Sequence, residues 1–403
     1  MEKNKVAIIG TVGLPAKYGG FETLAEHLVT HLSDKYDFTI YCSKKKYSKE
    51  EQIERYKGAK LEYINLDANG IQSIPYDTIS ILKSLKNNDV LLILGVAGAW
   101  ILPFVRLFTK KKIIISIDGI EWKRDKWSLF AKLYLCWAEK IAVRFSHIDI
   151  SDNESIQDYT GLKYRTLSHV IEYGADHTIE VKPIKEDYIK YPFLSQQYSV
   201  KVCRIEPENN VHLVLEAFKG MPNKLLVLVG NWKNSKYGID LKEKFDNVSN
   251  IHLYDPIYNQ REIDLIRGNA AIYIHGHSAG GTNPSLVEAM YLGLPIMSFK
   301  VSYNKTTTEN KAIYFSTADE LISRLKDTTE AELEILRKEM KSIALRRYTW
   351  GFISNQYDLL VKEALQTDKK KSIYSETNKL DNDFLEEYQM SHLKNAEMFY
   401  NKR

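Results

Sequence analysis

Short apolar runs alternate with amphipathic stretches along most of the chain. In the first part of the sequence the apolar runs, which we interpret as strands, cover residues 5–10, 37–42, 60–66, 90–95, 112–118, 147–151 and 166–174. Apolar residues recur with the spacing of a helix at 20–33, 76–87, 127–145 and 153–160. Strands that alternate with helices in this way predict a parallel sheet with helices on both faces.

The alternation stops at residues 174–197, which are charged and contain two prolines, and it restarts at residue 198. The second series of strands covers 198–205, 224–230, 250–255, 270–276 and 295–299, with helices at 210–219, 238–246, 260–268, 284–292, 318–326 and 330–346. We therefore predict an α/β protein with two doubly wound, Rossmann-like domains, residues 1–173 and 198–347, joined by a linker. Ligands of such sheets bind at the carboxyl ends of the strands, so we expect the site in a cleft where the two domains face each other.

Composition narrows the class of protein. The chain has 403 residues, of which 44% are hydrophobic and 27% charged, which is typical of a soluble protein with two or three domains. The most apolar segment, residues 89–108, is broken by glycine and proline, and its apolar run is shorter than the roughly 20 residues that span a bilayer. The N-terminus lacks the pattern of a signal peptide, and the three cysteines are far apart. We predict a cytoplasmic protein with reduced thiols.

A glycine-rich loop joins the first predicted strand to the first helix. Its sequence, GTVGLPAKYGGFET at residues 10–23, has neither the G-x-G-x-x-G spacing of dinucleotide-binding loops nor the Gly-Lys-Ser/Thr ending of a phosphate-binding loop. Glycine lets a backbone approach a ligand closely, and Lys17 is placed to reach toward the cleft. A plain turn between strand and helix is the alternative.

The second half contains a comparable loop in HGHSAGGTNPSLVEAM, residues 275–290. Residues 280–283 precede a helix with a proline in its first turn, so their N–H groups are expected to form an anion site. A helix N-terminus contributes only about 0.3–1 kcal/mol toward a nearby charge, so a diphosphate also needs cations. Arg204 follows the first strand of the second domain and is predicted to supply one, unless it forms a surface salt bridge with Glu206 or Glu208.

Glu288 lies just over one turn into the same helix. A carboxylate so close to an anion site is suited to accepting the hydroxyl protons of a ribose. The alternative is that it only interacts favourably with the helix dipole.

Together these segments resemble glycosyltransferase family 4, whose members are retaining enzymes with the two-domain GT-B fold. VCRIEPENNVHLVLEAF (202–218) is similar to that family's Arg-x-x-x-Glu-Lys segment, and residues 251–296 are similar to its nucleotide-sugar segment. GTVGLPAKYGGFETLAEHL (10–28) and ISIDGIEWKRDKW (115–127) resemble a narrower group, the bacterial rhamnosyltransferases of capsule and cell-wall polysaccharide assembly. The resemblance also implies that a last helix, residues 348–365, packs back on the first domain, followed by a polar tail at 366–403.

The resemblance assigns roles to the matching residues. The glycines at 19–20 and the amides of 281–283 would lie at the donor diphosphate, and Arg204 would pair with it. Glu288 would hold the ribose, and the backbone around Tyr258 would hold the base. The predicted donor-binding residues are Lys17, Gly19, Gly20, Arg204, Tyr258, His277, Gly281, Thr282, Asn283 and Glu288.

Three positions depart from the family pattern. The first glutamate of its Glu-x7-Glu motif is Gly280 here, for which His277 is a substitute unless that histidine is structural. The lysine after Pro-Glu is Asn209, and a histidine often found after an N-domain strand is Asp118. Asp118 and Glu121 are therefore predicted to orient or deprotonate the acceptor hydroxyl, unless they only cap their loop.

The resemblance further implies a mechanism and partners. Arg204, the third predicted catalytic residue, and the helix-start amides would stabilise the leaving phosphate without a metal ion or another cofactor. The implied partners are a nucleotide sugar, above all dTDP-L-rhamnose, and a lipid-pyrophosphate-linked glucose or GlcNAc at the inner face of the cell membrane. No nucleic acid is expected.

Positive charge is concentrated in one part of the first domain. Residues 110–144 contain nine basic and four acidic residues, a net charge of +5, whereas the whole chain has +4. We predict that this stretch docks on an anionic membrane surface through its lysines together with Trp122 and Trp127. The apolar side chains at 130, 134, 137 and 141 have helical spacing and are interpreted as a core stripe.

Two other functions are compatible with the sequence. A GT-B epimerase would convert a nucleotide sugar without an acceptor. A non-catalytic nucleotide-sugar-binding protein of a glycan assembly complex is favoured by the altered positions Asn209 and Gly280.

Overall fold

The computed structural model describes residues 2–17, 19–117, 119–123 and 127–370. The chain divides into two compact units, residues 1–172 with the chain from Gly351 onward, and Tyr173–Trp350. Residues 174–197, predicted to be a linker, lie within the second unit and contain a short helix, Lys185–Lys190.

Among the described residues of the first unit, eight strands and five α-helices precede residue 172. The strands are β1 (Asn4–Ile9), β2 (Tyr36–Ser43), β3 (Arg55–Tyr56), β4 (Ala59–Ile64), β5 (Val90–Leu94), β6 (Lys112–Ile117), β7 (Ile148–Ser151) and β8 (His169–Val170). The helices are α1 (Gly20–Leu32), α2 (Ser73–Ser84), α3 (Leu102–Phe108), α4 (Leu129–Phe145) and α5 (Glu154–Tyr164). The strand order is β3-β4-β2-β1-β5-β6-β7-β8, and only the β3–β4 pair is antiparallel.

The second unit has a six-stranded sheet in which every pair is parallel. Its strands are β9 (Tyr198–Val202), β10 (Leu225–Val229), β11 (Ile251–Tyr254), β12 (Ile272–His275), β13 (Ile296–Phe299) and β14 (Ile313–Phe315), in the order β11-β10-β9-β12-β13-β14. Its helices are α6 (Lys185–Lys190), α7 (Val211–Lys219), α8 (Lys236–Phe245), α9 (Gln260–Gly268), α10 (Pro284–Tyr291), α11 (Ser302–Thr307), α12 (Ala318–Asp327) and α13 (Glu330–Arg347). The predicted α/β fold with two doubly wound domains is confirmed.

Strand order identifies the functional edge of each sheet. In the first unit the order reverses between β1 and β5, and in the second between β9 and β12. Ligands of doubly wound sheets bind at this switch point, beyond the carboxyl ends of the strands. In the first unit, the glycine loop starts at the end of β1. In the second unit, Arg204 follows β9 and another glycine loop follows β12.

The last helix, α14 (Trp350–Gln366), belongs to the first unit from Gly351 onward. Asp358 fixes it there, since its carboxylate accepts hydrogen bonds from Lys35 Nζ at 2.7 Å and from Tyr36 Oη at 2.7 Å. The chain just beyond α14 is also fixed, because Lys370 Nζ pairs with the buried Asp149 at 2.6 Å. Residues 371–403, most of the predicted tail, lie outside the described residues.

The apolar segment 89–108 folds as β5, a turn and α3. Of the helices that the structure describes, none combines the length and the hydropathy needed to cross a membrane.

The predicted core stripe of α4 is wrong at two of its four positions, whereas Tyr134 packs against the core as predicted. Phe130 is 84% exposed and Trp137 is 49% exposed, so the predicted core stripe is not buried at these positions. The buried face of α4 is formed instead by Leu135, Ala138, Glu139, Ala142 and Val143. Trp122 and Trp127, predicted to dock on a membrane, pack against the core of the first unit. The side chain of Lys123, and all of Arg124 and Lys126, lie outside the described residues.

Candidate functional site

In the second unit, the loops that follow β9 and β12 are bonded to each other. Ser278 N donates to the carbonyl oxygen of Glu208 at 2.8 Å, and Asn210 Nδ2 donates to that of Gly276 at 2.8 Å. The two strands are neighbours in the sheet, so their loops leave the same edge side by side. The predicted site residues on these loops are therefore held in one place.

Gly276 allows this close approach. A Cβ atom added at Gly276 would lie 2.4 Å from the carbonyl oxygen of Asn209 and 2.7 Å from Lys201 Nζ. Real Cβ atoms do not come so close to backbone oxygens, so a larger residue would push the two loops apart.

The N-terminus of α10 has the geometry of an anion site. Asn283 is its N-cap, with the side-chain oxygen accepting from Ser285 N at 3.0 Å, and Pro284 occupies the first turn. Among the described residues, neither the N–H of Gly281 nor that of Asn283 donates to a protein acceptor. Gly281 and Thr282 are also buried. These N–H groups are suited to binding the oxygens of a ligand.

Arg204 lies at the exposed edge of the β9 loop. Its guanidinium is 4.0 Å from Glu206 Oε1, and 43% of its side chain is exposed. This contact is at the limit of a salt bridge and is worth little in water. Asn209, at the position of the family's lysine, donates from Nδ2 to the carbonyl oxygen of Arg204 at 2.6 Å, so it positions the arginine's backbone and adds no charge.

Glu288 is part of a buried ionic network. Its carboxylate binds Arg267, and its Oε1 is 3.2 Å from His177 Nε2. Arg267 also donates to Asp264 Oδ1 at 2.9 Å. Burial alone would raise the pKa of Glu288, but the Arg267 charge and the His177 hydrogen bond outweigh it and hold that pKa at about 2. The carboxylate is thus kept ionised, and it already has a structural role.

The remaining predicted residues of the second unit differ in exposure. Tyr258 is 71% exposed in the loop before α9. His277 is buried, and its ring stacks on that of His275 with 4.4 Å between the centroids.

In the first unit, carboxylates of α1 hold the glycine loop. Glu22 Oε1 accepts from Val12 N at 2.6 Å, and Glu26 Oε2 accepts from Ala16 N at 2.8 Å. Gly19 caps the helix with φ 104°, and a Cβ there would lie 2.2 Å from Glu22 Oε2. Burial raises the pKa of Glu22 to about 7 although the Val12 amide opposes the shift. Gly20 is the first residue of α1.

The other predicted residues of the first unit have local partners or lie outside the described chain. Lys17 Nζ binds Glu51 Oε1 at 2.6 Å, within the first unit. Glu121 Oε1 accepts from Trp127 Nε1 at 2.9 Å. Asp118 is not among the described residues. Strand β5 separates the glycine loop after β1 from the Glu121 loop after β6, so these two predicted groups are not on adjacent strands.

Sequence reasoning missed four charged or polar groups. Glu22 belongs to the first unit, where it holds the glycine loop, and the second unit contains the other three, His177, Lys201 and Arg267. Lys201 had a usable signal, because YSVKVC places a lysine inside an otherwise apolar strand. Lys201 is buried, and burial lowers its pKa. Within the described part of the chain, its Nζ has no hydrogen-bond acceptor.

We expect Lys201→Met to raise the free energy of unfolding by about 1–3 kcal/mol, because a buried donor without an acceptor is destabilising. Urea unfolding at neutral pH would measure the change. Lys236→Met, on the exposed face of α8, is the matched control and should leave stability unchanged. A less stable Lys201→Met protein would show that the ammonium is stabilised where it lies.

The groups around the β9 and β12 loops suit an anion. N–H donors, Arg204 and Lys201 lie at this edge of the sheet. Glu288 stays ionised, and its negative charge is balanced by that of Arg267. Among the described residues, no group of three or more His, Cys, Asp or Glu side chains is arranged to hold a metal ion.

Comparison with known families agrees with this chemistry. Residues 186–346, which include both loops and α10, match the family model described as glycosyl transferases group 1. Residues 186–346 are therefore similar to a group 1 glycosyl transferase domain, over 161 of the chain's 403 residues. Residues 3–176, ahead of this domain, match a model described as a domain of unknown function, DUF1972. No curated protein matches the chain.

Solved structures similar to most of the chain include several glycosyltransferases. Sucrose-phosphate synthase from Thermosynechococcus elongatus aligns with a TM-score of 0.77 at 13% identity, covering 90% of this chain and all of the other. HepE from Anabaena, in complex with UDP-glucose, has a TM-score of 0.68 at 14% identity, with 90% and 100% covered. Starch synthase IV from Arabidopsis thaliana, bound to ADP and acarbose, has 0.68 at 14%, with 91% and 100% covered.

These likenesses show the fold. With the group 1 domain they confirm the predicted GT-B glycosyltransferase architecture. The narrower resemblance to rhamnosyltransferases, and the roles assigned to single residues, stay predictions.

Proposed function

We propose that the protein is a retaining glycosyltransferase that moves L-rhamnose from dTDP-L-rhamnose to a glucose or GlcNAc carried on a lipid pyrophosphate, in capsular or cell-wall polysaccharide synthesis. One observation carries the proposal of sugar transfer: the segment similar to group 1 enzymes combines Arg204, on one of two bonded loops, with the N–H groups of Gly281 and Asn283 on the other, which have no acceptor among the described residues. The choice of rhamnose rests on the resemblance of residues 10–28 and 115–127 to rhamnosyltransferases.

The proposed chemistry depends on the charge of the leaving group. When the sugar–phosphate bond breaks, negative charge grows on the departing nucleoside diphosphate. Fixed donors aimed at that charge stabilise the transition state more than the ground state. Arg204 and the N–H groups before α10 supply such donors. Nucleotide-bound relatives support a diphosphate ligand, since HepE is solved with UDP-glucose and starch synthase IV with ADP.

A donor panel tests the proposal. The protein is incubated with dTDP-rhamnose, UDP-glucose, UDP-galactose, UDP-GlcNAc or GDP-mannose, and with lipid-pyrophosphoryl glucose or GlcNAc, and product masses are measured. We expect an added deoxyhexose from dTDP-rhamnose. Transfer of another sugar would show that the protein is a glycosyltransferase with a different donor. Conversion of a donor without an acceptor would indicate an epimerase.

We also expect transfer to continue in excess EDTA, because in the proposed mechanism protein N–H and guanidinium groups stabilise the negative charge of the leaving group. Initial rates with and without chelator would be compared at saturating donor. Activity that disappears on chelation and returns with manganese would contradict this mechanism.

A non-catalytic nucleotide-sugar-binding protein is the competing function. Gly280 and Asn209 favour it, because they remove a carboxylate and an ammonium that the family pattern has at these positions. Binding of dTDP-rhamnose with no product from any donor–acceptor pair would support it against the enzyme.

A further inference from the structure

The solvent face of α4 in the first unit is unusually apolar. Leu129, Phe130, Leu133 and Trp137 are all exposed. At 3.6 residues per turn, these four positions fall within an arc of about 100°. The buried face of α4 lies opposite them. The arrangement is therefore an apolar stripe turned away from the core.

Helix α3, which packs against α4, carries a second group of exposed apolar side chains. Phe104 is 54% exposed, and Leu107 and Phe108 are each 75% exposed. We define the α3–α4 patch by six residues of the two helices: Phe104, Leu107, Phe108, Phe130, Leu133 and Trp137. Soluble monomers rarely leave so many large apolar side chains together in water, and such patches mark interaction sites.

Exposed basic residues lie on or next to the same two helices. Lys140 and Arg144 are exposed on the last two turns of α4, and their helical positions fall within the arc of the apolar stripe. Lys110 follows α3 and is also exposed. Apolar and aromatic side chains next to lysine and arginine are the combination that binds an anionic lipid surface, where the rings enter the interface and the cations meet the headgroups.

We propose that the α3–α4 patch docks the first unit on an anionic lipid bilayer. The proposal rests on the proposed function, to which it adds the surface that would bring the enzyme to a lipid-linked acceptor. Charge complementarity favours a bilayer over a second copy of the chain, because two copies of this surface would bring Lys140 and Arg144 against like charges.

Vesicle binding tests the apolar part of the patch. The full-length protein is mixed with phosphatidylcholine vesicles with or without phosphatidylglycerol, and bound protein is measured by sedimentation. We expect Phe108→Ser/Phe130→Ser/Leu133→Ser to lower partitioning into the mixed vesicles by about 100-fold, since binding scales with the apolar area buried. The matched control is Ile71→Ser/Ile189→Ser/Ile335→Ser, which removes three exposed apolar side chains elsewhere and should bind like the wild type.

The charged part has its own test. Lys140→Gln/Arg144→Gln should lower partitioning by about 10-fold or more with phosphatidylglycerol present, because each basic residue near an anionic surface adds to the attraction. Binding to pure phosphatidylcholine should stay the same. Equal loss on both vesicle types would contradict the role given to these cations.

Two further measurements separate this proposal from other outcomes. Calorimetric binding of dTDP, which reports on the second unit, should be unchanged in all patch variants, and an unchanged Tm in thermal unfolding shows that their first unit, which contains the patch, is folded. Wild-type protein that does not bind the mixed vesicles, or patch variants that bind as the wild type does but change from dimer to monomer in solution, would overturn the proposal. Failure of the donor panel with vesicle binding intact would instead count against the proposed enzyme.

Discussion

Arg204→Met is expected to lower kcat/KM for sugar transfer by about 100- to 1,000-fold, the range found when one preorganised donor to a developing negative charge is removed. The guanidinium lies at the edge where the β9 and β12 loops meet, 4.0 Å from Glu206 Oε1, and 43% of the Arg204 side chain is exposed. Initial rates over a range of donor concentrations, together with calorimetric titration of dTDP and UDP, would measure the loss.

The effect of this change should be specific to the site. Arg324→Met removes an exposed arginine of α12 in the same unit and should leave the rates unchanged. Arg204→Lys keeps the charge but loses the planar pair of donors, so we expect an intermediate rate. Wild-type kinetics in Arg204→Met would remove this residue from the mechanism.

The sequence predicts the layers of the fold well because they follow from periodicity. Strands β1, β5 and β6 are continuous apolar runs, as expected of strands buried on both faces. The glycine loops are also predictable, because each stands between such a run and an amphipathic helix. Short elements without a long pattern, such as β3 and α11, were not predicted.

The buried face of a helix and the hydrogen-bond partners of its side chains are much harder to predict than the helix itself. Apolar residues on α4 form two stripes, and the sequence does not say which faces the core. The structure turns Leu135 inward and Phe130 outward. Glu139, a charged residue on the buried face, is accommodated because Tyr159 donates a hydrogen bond to it at 2.5 Å. A pattern of hydrophobic positions contains no information about such a distant partner.

The network around Glu288 shows the same limit with a consequence for function. The sequence favours a ligand contact for Glu288, and the structure adds Arg267 and His177 as protein partners. A carboxylate held in this way is rigid and charged before any ligand arrives. Because Arg267 contacts both Asp264 and Glu288, the network also connects α9 to α10, so the same carboxylate contributes to the stability of the second unit.

Arg267→Met is expected to destabilise the protein by about 3–5 kcal/mol, because it leaves buried carboxylates without their cation. For a unit of this size, that corresponds to a fall of about 10 °C or more in Tm. Differential scanning calorimetry would measure it. Arg261→Met is the matched control, since Arg261 lies on the same helix and binds Asp187 at 2.7 Å but is exposed, and surface pairs contribute little.

The pH dependence of this loss identifies the charge responsible. In the wild type the pKa of Glu288 is about 2, below the ordinary value of 4.5, so its ionic stabilisation is complete above about pH 4.5 and is lost as the pH falls toward 2. Without Arg267 the carboxyl is still buried, and its pKa rises. The stability difference between wild type and variant should therefore be largest at neutral pH and shrink below pH 4.5. A difference that stays constant down to pH 3 would mean that Arg267 stabilises the unit by packing, independently of the charge on Glu288.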